Sequence, residues 1–167
     1  HWLDSDQLDV KAHRFFQNRH KACYADALFN ALLNATMTSA AKLPYPEFDR
    51  FYKHSELTQL LQDFAAARPD VLELRELGRS YENRPIWVLV ITRKSTGADL
   101  DKPAFWVDGN IHAAELTAST ACLYWLHQLL SKDGTDAQVT ELLSSRVVYL
   151  VPRLNPDGAE LAMADKP

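Results

Sequence analysis

Two strongly apolar runs, 86–91 (IWVLVI) and 146–151 (RVVYLV, apolar from Val147 onward), constrain this chain more than any other feature of it. A strand with one face in water alternates apolar and polar residues. A strand that is apolar without interruption is covered on both faces. The sheet these runs belong to must therefore be flanked by helices. Between them lies a third apolar run, 104–107 (AFWV), and then a long helical pattern over residues 113 to about 130. There Leu116, Leu123 and Leu130 recur every seven residues, and Ala118, Cys122, Trp125 and Leu129 form a second stripe. Strand, helix and strand in that order imply a crossover within one sheet.

The rest of the chain fits the same frame. Leu57, Leu60, Leu61 and Phe64 carry the i, i+3, i+4, i+7 spacing of an amphipathic helix. Ser55 is its expected N-cap, and Arg68-Pro69 its end. Residues 71–77 read as a strand that turns at Ser80-Tyr81-Glu82-Asn83 and pairs antiparallel with 86–91. A shorter helix is expected over 136–143, and Asn155-Pro156-Asp157-Gly158 reads as a turn. The expected class is α/β: a mixed, largely parallel sheet with flanking helices. At 167 residues and 47% hydrophobic, the chain can bury a core without disulfides or metal staples.

Charge and composition exclude some functions. A net charge of −4 gives no basic footprint for nucleic acid, and no apolar run approaches a membrane span. Cys23 and Cys122 form no framework and are read as two free thiols, with Cys122 packed as a small hydrophobe. The opening HWLDSDQLDV lacks the basic and apolar regions of a secretory leader, which leaves the compartment open. Asn34-Ala35-Thr36 is a glycosylation sequon of a kind common by chance. Residues 1–44 read as an appendage with no assignable role.

Chemistry concentrates in Asp108-Gly109-Asn110-Ile111-His112-Ala113-Ala114-Glu115, where the third strand runs into the long helix. Ligands of open α/β sheets bind beyond the carboxyl ends of strands, and Gly109 is expected to make the sharp turn there. If the helix starts near His112, His112 and Glu115 lie on one face and converge on one ion. Imidazole nitrogen and carboxylate oxygen are both ordinary zinc donors. An isolated H-x-x-E pair also has a plain structural account: a histidine satisfied by a carbonyl and a glutamate at a helix N-terminus. His127, twelve residues beyond Glu115 on the same helix, lies about 18 Å along the axis and is read as a packed histidine. His1, His13, His20 and His54 are read as surface residues. There is no H-E-x-x-H, H-x-x-E-H, G-x-S-x-G or P-loop pattern. Asp157 is expected to shape its turn rather than serve as a base.

Three segments together carry a resemblance. FWVDGNIHAAEL is similar to the zinc-binding segment of the carboxypeptidase A-like metallocarboxypeptidases, in which an apolar strand runs into Gly-x-His-x-x-Glu. Leu77-Gly78-Arg79-Ser80-Tyr81-Glu82-Asn83-Arg84-Pro85-Ile86 resembles the same family's hairpin. Val151-Pro152-Arg153-Leu154-Asn155-Pro156-Asp157-Gly158 resembles its Asn-Pro-Asp/Asn-Gly element. The resemblance spans about residues 47–167. It implies that residues 45–167 are the N-terminal part of a zinc carboxypeptidase-like domain, with Zn²⁺ held by His112 and Glu115 and a peptide as substrate. The family's third zinc ligand, catalytic glutamate, carboxylate-binding arginine and substrate-site tyrosine lie further along than Pro167. No catalytic residue is therefore expected within this chain, which alone should be a poor catalyst. Where some members carry a substrate-contacting arginine before the ligand glutamate, this sequence has Ala114. A zinc amidohydrolase of the aspartoacylase or succinylglutamate desuccinylase kind, or a binding module with a decayed site, are the alternative expectations. The hairpin and the Asn-Pro-Asp-Gly element favour the peptidase.

Overall fold

The computed structural model describes residues 42–164, all within the unit Ala41–Pro167. The expected appendage, apart from 42–44, lies outside the described residues. So do Cys23, the sequon, His1, His13 and His20.

Helix α1 spans His54–Ala67 and buries Leu57, Leu61 and Phe64. It begins at His54 because the Glu56 carboxylate reaches back to accept the Lys53 N–H at 2.8 Å. Lys53, not the expected Ser55, is therefore the cap residue. Strands β1 (Leu72–Arg79) and β2 (Pro85–Ile91) follow. They pair antiparallel, with an irregularity between Glu76 and Gly78. After two short 3-10 turns come β3 (Ala104–Asp108), α2 (Leu116–Lys132), α3 (Ala137–Ser145) and β4 (Val147–Val151). Asp136 caps α3 by accepting the Gln138 and Val139 N–H groups.

The sheet order is β1-β2-β4-β3. β2 and β4 run antiparallel, whereas β3 and β4 run parallel. The mixed α/β class stands. The largely parallel character does not: among the described strands only the β3–β4 ladder is parallel, because α2 and α3 supply the only crossover. Val88 to Ile91, with Val147, Val148, Leu150 and Val151, are buried as their uninterrupted runs require. Of these, Leu89, Ile91, Val148 and Leu150 join Leu57, Leu61 and Phe64 of α1 and Leu123, Leu126 and Leu130 of α2 in one core. β3 lies at the sheet edge, with Phe105 and Trp106 about half exposed. No described helix is long and apolar enough to cross a membrane.

Away from the β3–α2 loop, the Asp133 carboxylate accepts Arg68 Nη2 at 2.6 Å and Arg93 Nη2 at 2.5 Å. This ties the ends of α1, β2 and α2 together. His127 is half-buried and meets the Tyr45 ring edge-on, with centroids 5.0 Å apart. Cys122 is a buried free thiol, its pKa pushed up to about 11 by burial and by Asp108.

His54 departs from its surface reading: it is only 7% exposed. Neither ring nitrogen makes a hydrogen bond of good geometry among the described residues. Burial above all, then Arg153, lowers its pKa, while the Pro85 carbonyl and Glu160 pull it upward and Arg84 adds to the depression. Where the folded pKa lies below the unfolded one, the unfolded chain binds more protons in the interval, so stability rises with pH there. Thermal melts of the full-length protein are therefore expected to lose stability as pH falls from about 6.5 through the depressed value. A His54→Gln variant should show a shallower slope over that interval, and an unchanged slope would refute the assignment.

Candidate metal centre

The loop between β3 and α2 is built by close backbone approach. Gly109 donates its N–H to the Val151 carbonyl and accepts from Leu154 N–H, both at 2.9 Å. A Cβ at Gly109 would stand 3.1 Å from the Ala118 carbonyl oxygen and 3.1 Å from Cys122 Sγ. Its lack of a side chain thus serves packing against α2. The sharp turn expected there falls instead on Asn110, at φ 55. Asparagine tolerates this left-handed region better than most residues.

The helix does not begin near His112. Residues 112–114 form a turn, and α2 starts at Leu116 with Glu115 at the capping position. The single helical face expected for His112 and Glu115 is therefore replaced by a turn closed by Glu115 N–H on the His112 carbonyl at 3.1 Å. Both side chains are exposed, at the end of β3 where it runs parallel to β4. Among the described residues, neither takes part in a side-chain hydrogen bond or ion pair.

The Asn-Pro-Asp-Gly element proves to be a helix start. Helix α4 spans Pro156–Ala162, with Asn155 as cap and Pro156 in the first turn. Asn155 Oδ1 accepts Gly158 N–H at 2.9 Å. Its Nδ2 donates to the Ile111 carbonyl at 3.1 Å, and its own N–H donates to the Asn110 carbonyl at 3.1 Å. Asp157 does not shape the turn expected at its own position; its carboxylate braces the β1–β2 hairpin instead. Its carboxylate accepts Ser80 Oγ at 2.7 Å, Glu82 N–H at 2.9 Å and Arg84 Nη1 at 2.5 Å. Desolvation opposes its charge, but these donors outweigh it and hold the carboxyl below its ordinary pKa. The three segments singled out in the sequence are thus one structure: α4 braces the H-x-x-E loop through Asn155 and clasps the hairpin through Asp157.

The profile of the family described as zinc carboxypeptidase matches residues 57–166. The chain belongs to that family. It is 37% identical over 111 residues to carboxypeptidase A2 of Rattus norvegicus, covering 66% of this chain and 25% of that protein. It is 32% identical over 124 residues to carboxypeptidase D of Homo sapiens, covering 74% of this chain and 9% of that one. The carboxypeptidase A structure from Helicoverpa armigera superimposes with a TM-score of 0.64 at 27% identity, covering 87% of this chain and 34% of that chain. A thrombin-activatable fibrinolysis inhibitor structure gives 0.62 at 28% identity, with 76% and 30% covered. The chain thus spans a quarter or less of the length of these curated relatives.

Within this chain of the zinc carboxypeptidase family the candidate donors His112 and Glu115 pass a partial test. An imidazole and a carboxylate, both exposed on a pinned loop and without a side-chain partner among the described residues, suit zinc. No group of three or more His, Cys, Asp or Glu among the described residues forms a complete set. The position before Glu115 is the exposed Ala114. The supporting roles of four residues escaped the sequence reading: Asn110, Ser119, Arg153 and Asn155, all bonded to the loop or to one another. The one local signal was a polar Asn110 directly after a strand and a glycine.

Proposed function

We propose that the protein to which this chain belongs is a zinc-dependent metallocarboxypeptidase that removes C-terminal residues from peptides. His112 and Glu115 are two of its metal ligands. The observation that carries this reading is the pair itself: two zinc-type donors, unpaired and exposed, on a loop fixed at the end of a parallel strand pair inside the matched region. A bound zinc lowers the pKa of a water to about 7 and polarises the scissile carbonyl. His112 supplies a nitrogen and Glu115 a carboxylate oxygen; a carboxylate committed to a metal is not the general base. The third ligand and the base come from elsewhere in the protein. Backbone hydrogen bonds from Asn155 and Glu115 hold the loop, so little ordering is left for metal binding to accomplish. Ala114 offers no charge to a substrate, so recognition of the substrate carboxylate also falls to residues outside this segment.

The test uses the full-length protein. One zinc per chain is expected, with release of C-terminal residues from peptides that stops on chelation and resumes on zinc addition. Peptides with an amidated C-terminus should resist. Hydrolysis of N-acyl amino acids with peptides left intact would overturn the assignment in favour of an amidohydrolase. Absence of both zinc and turnover would overturn it in favour of a binding module.

A further inference from the structure

We propose that Asn110 and Arg153 are a positioning pair for the metal loop: Arg153 fixes the Asn110 amide, and that amide fixes the backbone that carries His112 and Glu115. This deepens the zinc reading above and rests on it.

Asn110 is 1% exposed. Its Nδ2 donates to the carbonyl of His112 at 2.9 Å and of Ala113 at 3.3 Å. Its Oδ1 accepts Arg153 Nε at 3.1 Å and Ser119 Oγ at 3.3 Å. Both ends of the amide are thus used, and its orientation is fixed by the cation on one side. The His112 carbonyl accepts from Asn110 Nδ2 and also from the Glu115 N–H. One oxygen therefore ties the two donor residues to each other and to the buried amide. With the backbone of both residues held, each donor has only its side-chain rotamers left to search.

The character of Arg153 argues that the pair is more than packing. It is 3% exposed, and its Nη1 has no partner among the described residues. A buried guanidinium with an unmet donor is costly, and an apolar side chain would fill the space without that cost. What an apolar side chain lacks is a charged donor for Oδ1. Hydrogen bonds in series polarise one another, so the Arg153 contact strengthens the Asn110 N–H groups toward the loop carbonyls. Groups that hold ligands from one shell out typically affect metal affinity by about 10–100-fold.

The experiment compares Asn110→Gly, Arg153→Met and Arg153→Lys in the full-length protein, with His112→Ala as reference. Glycine keeps the left-handed backbone and removes only the amide. Zinc affinity is measured by chelator competition at a temperature where circular dichroism shows each metal-free variant folded. Asn110→Gly and Arg153→Met are expected to weaken zinc binding about 10–100-fold. Arg153→Lys, which retains a cationic donor, should recover part of that loss. A merely structural role would lower the melting temperature of the metal-free protein and leave the affinity of the folded form unchanged. Affinities within twofold of wild type for Asn110→Gly and Arg153→Met, with His112→Ala impaired, would overturn the positioning role alone. If His112→Ala also bound zinc normally, the metal-ligand reading would fail first, and the positioning role with it.

Discussion

Substituting His112 by alanine in the full-length protein is expected to lower zinc affinity at least about 100-fold, because removing partners one shell further out already costs about 10–100-fold. Peptide hydrolysis should fall with zinc occupancy. The same substitution should leave the stability of the metal-free protein within about 0.5 kcal/mol of wild type, as for surface positions away from structural features. The side chain is exposed and makes no hydrogen bond or ion pair among the described residues, so none of those is lost. The contrast is the diagnostic. A histidine serving structure would give the opposite pattern, a lower melting temperature with unchanged zinc. Glu115→Gln should behave alike, since an amide retains the shape but loses the charge that holds a cation. Isothermal titration of zinc into the metal-free variants, paired with their thermal melts, reads both quantities. Normal zinc binding by both variants would remove the basis for the metal centre.

The elements legible in the sequence are those whose signal is local. Residues 86–91 and 147–151 announced buried strands because they are apolar on both faces, and α1 and α2 because their leucines repeat at helical spacing. The errors lie where a distant partner decides. His54 looked like any polar residue at a helix start. Its backbone N–H is held at 2.6 Å by Glu160 Oε1 of α4, about a hundred positions onward, so what packs at this helix start is invisible in the local pattern. Asn155-Pro156-Asp157-Gly158 carries two compatible local signals, a turn and a helix cap followed by proline. What selects the helix is the occupation of Asn155 by Gly158 N–H and of Asp157 by the hairpin. The start of α2 is the exception, decided by a near neighbour. Residues 112–115 suit a first helical turn, but Asn110 captures the His112 and Ala113 carbonyls in a non-helical one. His112 and Glu115 stood out in the sequence as candidates by residue type and by their place after a strand, not by the helical face their spacing suggested. Their supports did not, because Arg153 and Asn110 meet only through the parallel pairing of β3 with β4.

Alanine at Gly158 should be more damaging than helix propensity suggests. Gly158 lies within α4, and in a helix interior alanine is normally better than glycine by about 1 kcal/mol. A Cβ there would fall 2.6 Å from Asn155 Nδ2 and 2.8 Å from Ala113 Cβ. Neither neighbour yields freely. Asn155 is held at one end by the Gly158 N–H and at the other by the Ile111 carbonyl. Displacing it forfeits a cap worth about 1 kcal/mol and a hydrogen bond worth about as much. Ala113 sits in the turn between His112 and Glu115, so moving it moves the donors. Overpacking of this kind costs about 1–3 kcal/mol. Added to the lost cap and bond, it exceeds the propensity gain and leaves a net loss of about 2–4 kcal/mol. Zinc affinity should fall as well, because the collision is transmitted to the ligand loop. Gly78→Ala is the matched control: nothing lies within 4 Å of its added Cβ, and alanine within a strand should be neutral or stabilising by about 0.5–1 kcal/mol. Denaturant melts of the two variants, with zinc titrations alongside, separate the outcomes. If Gly158→Ala were as stable as Gly78→Ala and bound zinc as tightly as wild type, Asn155 and Ala113 would be free to move, and α4 could not be the brace of the metal loop.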